Sequence, residues 1–310
     1  MIKIYYDNFL NKNVIEYTFI ELFRYIDNSI LFIDDKKEAH ILYSHDSFVH
    51  NNQLKIEPSK LFWNNYGYKE SLPISPLKIV EDIIFIYNDD IIASSFFLLS
   101  GYEELLNTKR DKYNRFLHKY SYYKTDGIYK KPLVEIYRKV LVSKVNDIGK
   151  RSNIKKIFKK NNFGLFLTHD VDGVYKYRNT IKSVLKIILR YSNYDLQDFI
   201  RSKKNINNDP WYKGFEILIL LSKKYNFKST YFFITIIQSK LDNFYKIKDS
   251  KIQNILYKLK HDKQFSIEIH GSSNSYNNSI KLAEEHKVIN NSIGVRQHFL
   301  KYDISKTGYI

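Results

Sequence analysis

The chain has 310 residues, 44% of them hydrophobic, with 27 tyrosines and 21 phenylalanines; it can bury a sizeable core in two domains, or in one barrel with an extension, and is too apolar for a disordered chain. It has no cysteine, which excludes a disulfide framework and any thiolate metal site, so a metal has to be held by oxygen and nitrogen. The formal net charge of +17 comes mostly from lysines scattered among Ile, Asn, Tyr and Phe, the footprint of an A+T-rich coding sequence; it predicts no nucleic-acid partner and leaves room for weak association with an anionic membrane surface.

The start, Met1 to Asp7, lacks the basic, apolar and small-residue segments of a signal peptide. The longest apolar runs, Ile91 to Leu99 and Phe215 to Leu221, fall far short of the roughly 20 residues a membrane span needs. The expected compartment is the cytoplasm. From Met1 to about Leu141, short strand-like runs (Ile30 to Ile33, Ile83 to Tyr87) alternate with helical stretches, which predicts an α/β domain over residues 1–145. Asp90 to Glu104 reads as a buried helix with Gly101 at its exit, and Arg110 to Phe116 as a polar loop. Neither has the spacing of a catalytic set, so a structural or docking role is expected.

Lysines 144, 155, 156, 159 and 160 make residues 146–162 read as a basic linker. Beyond it, Phe163 to Thr168 is predicted as a strand and Thr180 to Arg190 as a helix. Asp209-Pro210 suits the start of a helix over Phe215 to Tyr225, since Asp caps and Pro fits the first turn. Ser229 to Ile234 is a second strand, Ile252 to Lys260 a helix, and Phe265 to Ile269 a third strand. Strands alternating with helices predict parallel βα units over residues 163–310.

Three polar clusters follow apolar runs: Leu167-Thr168-His169-Asp170-Val171-Asp172-Gly173, Ile267-Glu268-Ile269-His270-Gly271-Ser272 and Gly294-Val295-Arg296-Gln297-His298. Residues past the carboxyl ends of parallel strands point into one mouth, so clusters distant in sequence meet there. Asp170 and Asp172, two apart, face the same side of an extended backbone, so one can coordinate a divalent cation while the other accepts a proton from water. The same Asp-Val-Asp-Gly text also fits a turn whose carboxylates cap a helix. His270 is a ligand candidate, with small residues after it leaving room, and Asn274 comes within reach if the segment turns helically. Arg296 and His298 place a guanidinium and an imidazole over one cavity, the former suited to orienting a carboxylate. His169 is not assigned as a ligand. Carboxylates with histidines form a set suited to zinc.

Together these motifs resemble the polysaccharide deacetylases with a NodB-homology domain, carbohydrate esterase family 4. Thr168 to Asp172 is similar to that family's Thr-Phe-Asp-Asp-Gly motif and Ser229 to Phe233 to its second-strand Ala-Thr-Phe-Phe. His270 to Asn274 resembles its His-Ser/Thr-x-x-His motif, and Arg296 to Phe299 its Arg-x-Pro-Tyr motif. The wording is closest to a bacterial subgroup whose N-terminal domain carries text similar to Phe96 to Glu104 and Arg110 to Phe116.

The resemblance implies a distorted (β/α) barrel that removes N-acetyl, or less often O-acetyl, groups from a surface polysaccharide or oligosaccharide. Carried over by position, Asp170 is the general base and His270 is a metal ligand, while the family's arginine is partnered by an Asp of a later motif. The family's second Asp aligns with Val171, so Asp172 takes its place; its second histidine aligns with Asn274, and His298 can compensate. The family places two further motifs after the arginine motif, including a histidine that protonates the leaving amine. With the text stopping at Ile310, the expectation is an incomplete barrel whose lost acid could leave it inactive. The alternative from another class is a non-catalytic glycan-binding or assembly protein using the same barrel mouth.

Overall fold

The computed structural model describes all residues except 25–29, 48, 68–77, 81–82, 125–126, 153–164, 192, 243–244, 291, 305 and 308–310. It is an α/β protein with parallel sheets that divides into two units, Met1–Asn162 and Phe163–Ile310.

In the first unit the elements are β1 (Ile2–Tyr6), α1 (Lys12–Phe23), β2 (Ile30–Phe32), β3 (Ile41–Tyr43), β4 (Leu54–Ile56), α2 (Lys60–Trp63), β5 (Lys78–Val80), β6 (Ile83–Phe85), α3 (Ile91–Leu99), α4 (Tyr102–Leu106) and α5 (Leu133–Ser152). Strands β1 to β4 form a parallel sheet in the order β2-β1-β3-β4, and β5 pairs antiparallel with β6. Helix α1 begins at Asn11, whose side chain accepts from the Val14 N–H, and buries Val14, Ile15, Thr18, Phe19, Leu22 and Phe23 at three- and four-residue steps. Helix α3 is buried nearly all round, as its composition predicts. Gly101, at φ +63°, takes the left-handed turn that ends it. The Arg110 to Phe116 loop is tied down from within. Arg110 donates to the carbonyls of Glu104, Asn107 and Lys109, and Asp111 takes a forked pair of bonds from Arg115.

Helix α5 corrects the expected linker. Leu141, Val142, Val145 and Ile148 are buried at helical spacing, so residues 146–152 continue the helix, with Lys144 and Asp147 on its exposed side. The rest of that linker, and the first two residues of the strand expected from Phe163, lie outside the described residues.

The second unit contains β7 (Leu167–Val171), α6 (Thr180–Ile188), α7 (Leu196–Lys204), α8 (Pro210–Lys224), β8 (Ser229–Phe233), α9 (Ser250–Lys260), β9 (Phe265–Gly271), α10 (Ser279–His286) and β10 (Val295–Gln297). The four strands lie parallel in the order β10-β9-β8-β7, each beside the next in sequence, which is the pattern of half a barrel. Register fixes the faces: Asp170, Phe232 and Glu268 stand abreast, as do His270 and Arg296 one pleat later, so all five share one side of the sheet. On the other side Val171, Tyr231 and Phe233 pack with Tyr212 and Phe215 of α8 and Ile252, Ile255 and Leu259 of α9. His169 lies on that core side, its ring stacked on Tyr231 at 4.6 Å. Asp209 caps α8 as expected, accepting from the Trp211 N–H, and also accepts from Lys176 and Tyr177, which fixes the chain leaving β7.

Candidate metal centre

The carboxyl ends of β7, β9 and β10 bring together Asp172, His270 and His298, whose ligand atoms all lie within 4.8 Å of one another. His270 Nε2 stands 3.2 Å and His298 Nε2 3.6 Å from Asp172 Oδ1. The histidines are buried, at 2% and 6% exposure, while 60% of the Asp172 side chain is open to solvent.

The remaining ring nitrogens decide the tautomers. His270 Nδ1 lies 2.7 Å from the Arg296 carbonyl, which can only accept, so Nδ1 carries the proton. His298 Nδ1 faces Asp242 Oδ1 at 3.4 Å and donates to it in the same way. Each imidazole thus turns Nε2 toward the Asp172 carboxylate, where a proton on Nε2 donates to Asp172 or a cation in its place bridges the three ligand atoms, and backing by a carbonyl or carboxylate is how metal-binding histidines are held. One oxygen and two imidazole nitrogens with an open fourth side is the ligand number of catalytic zinc sites, so the residues present fit a divalent metal. The hydrogen bond with His270, then the charges of both histidines, hold the Asp172 carboxyl below the usual carboxylate range against the effect of burial.

Asp242 was not foreseen from sequence: it is a lone acid in the polar text Ser239-Lys240-Leu241-Asp242, with no spacing to mark it. Burial raises its pKa, but bonds from His298 and the N–H groups of Ser273 and Gln238 outweigh burial and push it well below the usual range. It accepts from Ser273 at 2.7 Å, Gln238 at 2.9 Å and Ser239 at 2.8 Å, so one carboxylate fastens the loop after β8 to the loop after β9 and orients His298. Glu268 stands in the second polar cluster, but its text shows no role for it. It accepts from Ser266, Ser292, Ile293 and Gly294 and fixes the entry to β10.

Asp170 lies beside the trio on the same face of the sheet. Arg296 Nη1 donates to its Oδ1 at 3.0 Å, and the guanidinium sits 4.7 Å from the centre of the Phe232 ring, so ring and carboxylate together fix the arginine. Past His298 the backbone turns through two left-handed residues, Phe299 at φ +60° and Leu300 at φ +51°, with the Phe299 ring stacked on His298 at 4.0 Å. Such strain in residues other than glycine concentrates where a side chain has to be aimed.

Two expectations are corrected. Asn274 does not join the trio: the loop turns by i+3 bonds, Ser275 to Ser272 and Asn278 to Ser275, rather than as a helix, and the exposed Asn274 amide donates to the Gln238 carbonyl at 3.3 Å. Gly271 leaves no room for a ligand either, because the Gln297 amide fills the space, with its Oε1 only 2.3 Å from where a Cβ would stand.

Among the described residues no helix is long and apolar enough to cross a membrane. Neither a curated protein nor a solved structure matches the chain. Residues 2–150 match a family of unknown function (DUF7033).

Proposed function

We propose that residues 163–310 form part of a NodB-type (β/α) barrel and act as a metal-dependent hydrolase of the polysaccharide deacetylase kind, removing N- or O-acetyl groups from a bacterial surface glycan. The observation that carries this reading is the convergence of Asp172, His270 and His298 beside the Asp170–Arg296 pair at the carboxyl ends of three parallel strands.

Asp172 and the Nε2 atoms of His270 and His298 would hold the metal, with zinc the choice that best matches two imidazoles and one carboxylate. When bound, the metal supplies Lewis acidity that polarises the acetyl carbonyl. Asp170 accepts the proton of the attacking water. Arg296 keeps that carboxylate in place, and the Arg296 carbonyl and Asp242 keep the two imidazoles in the tautomer that leaves Nε2 free. One residue thus serves both halves of the site, since Arg296 orients the base through its side chain and a ligand through its backbone.

The test is acetate release from acetylated oligosaccharides by the zinc-loaded full chain. Asp170→Asn is expected to lower turnover by about 10²–10⁴, the usual contribution of a positioned base, while zinc and oligosaccharide binding persist. A wild-type chain that binds the oligosaccharide, releases no acetate and is indifferent to Asp170→Asn would replace this reading with that of a glycan-binding protein.

A further inference from the structure

Helix α6 is amphipathic, yet it is mounted with its apolar side outward. Ile181, Leu185, Ile188 and Leu189 are 74%, 52%, 68% and 67% exposed, whereas Ser183 is buried and Lys186 lies half-buried against Tyr194. At 100° per residue the four exposed residues and Val184 fall on one continuous arc of the helix. A surface helix of a globular protein normally does the reverse, hiding this arc and wetting its lysines. Here Ser183 returns its hydroxyl proton to the Asn179 carbonyl, and Lys186 rests its ammonium on the Tyr194 ring and hydroxyl, so the polar side is satisfied against the protein.

The stretch of chain that carries this arc has charge of one sign. Between Asp172 and Asp195 there is no acidic residue, and Lys176, Arg178, Lys182, Lys186 and Arg190 are all basic. Lys182 is exposed on the helix itself, Arg190 is exposed in the turn that follows it, and the exposed Tyr191 comes next. Exposed aliphatic side chains flanked by cations and closed by a tyrosine are the composition of a helix that lies in the interfacial plane of an anionic bilayer. A purely protein partner would be met by the aliphatic arc alone, whereas the one-sign flank selects a negative surface.

We infer that α6 is a docking element for an anionic lipid surface, inserting Ile181, Leu185, Ile188 and Leu189 among the headgroups while Lys182 and Arg190 meet lipid phosphates. This surface is independent of the proposed hydrolase activity and adds to it a reason for a surface-glycan enzyme to sit beside a membrane.

The experiment is co-sedimentation of the full chain with phosphatidylcholine vesicles, with and without phosphatidylglycerol. Binding is expected only when phosphatidylglycerol is present, falling as salt rises. Leu185→Glu/Ile188→Glu is expected to weaken it by about tenfold or more. Lys182→Gln and Arg190→Gln are each expected to weaken it roughly fivefold. All four side chains are exposed, so an unchanged circular dichroism spectrum verifies that the variants fold. Failure of the wild-type chain to sediment with phosphatidylglycerol vesicles overturns the inference, as does full binding by the Leu185→Glu/Ile188→Glu variant. A dimer that the same double substitution dissociates would assign the arc to a second copy of the chain instead.

Discussion

Asp90 in the first unit and Asp172 in the second are both carboxylates at the carboxyl-terminal side of a strand, and they do opposite things. Asp90 is fully buried, caps α3 through the N–H groups of Ile92 and Ala93, and accepts from the Ser59 N–H and the Tyr43 hydroxyl. Every lone pair it directs inward meets a donor, and three of the four donors are backbone. Asp172 is largely exposed and faces the Nε2 atoms of two buried imidazoles. The contrast teaches that a buried acid satisfied by backbone donors is a fastener, whereas an exposed acid set against two buried imidazoles belongs to a group that could hold a metal ion.

Removing a member of the trio is the most severe way to break this comparison. His270→Ala should lower zinc affinity by more than the roughly 10–100-fold that loss of an outer partner costs, as titration calorimetry would measure; unchanged affinity would mean the trio is not a metal site. Asp242→Asn should fall within that roughly 10–100-fold range, because an amide cannot accept from His298 and from three N–H groups at once. The same variant should also destabilise the second unit by about 1–3 kcal/mol in urea.

Asp90→Ala sharpens the other side. It should cost about 2 kcal/mol in urea midpoint and leave zinc affinity untouched. The smallest effect concerns pH. Burial pushes the Asp90 carboxyl up to about 6 despite the bonds from Ala93, Ser59, Tyr43 and Ile92. A group whose folded pKa exceeds its unfolded value near 3.8 contributes stability that grows as pH falls through about 6 and is lost as pH rises. The stability of the first unit against denaturation should therefore rise from pH 7 to pH 5, by at most about 1.4 kcal/mol per pH unit, and Asp90→Asn should flatten the slope.

Local text announced itself where one residue type has one job. The helix over Ile91–Leu99, its Gly101 exit, the Asp209-Pro210 start and the strand Ser229–Phe233 were all legible, because burial pattern, capping and backbone preference pointed the same way. The linker failed in part because polar, charged text such as Lys144 to Asp147 looks alike on a coil and on the exposed side of α5; only the buried spacing from Leu141 to Ile148 separates them. Strand β7 was placed too early for a related reason: its apolar approach, Leu165 and Phe166, precedes the first paired residue, Leu167.

At the site, sequence alone determined which acid, imidazole and guanidinium groups stand at strand ends and that their strands run parallel, since alternation and strand-end position are local properties of the chain. Tertiary structure decided the membership. It turned Asn274 away, filled the space over Gly271 with Gln297, and brought in Asp242 from a loop with no motif. It also set α6 with its apolar arc outward, which its text cannot disclose, because periodicity defines an amphipathic face but not the direction in which the fold presents it. Spacing along a strand fixes a side, whereas which lone pairs meet depends on how separate loops close over one another.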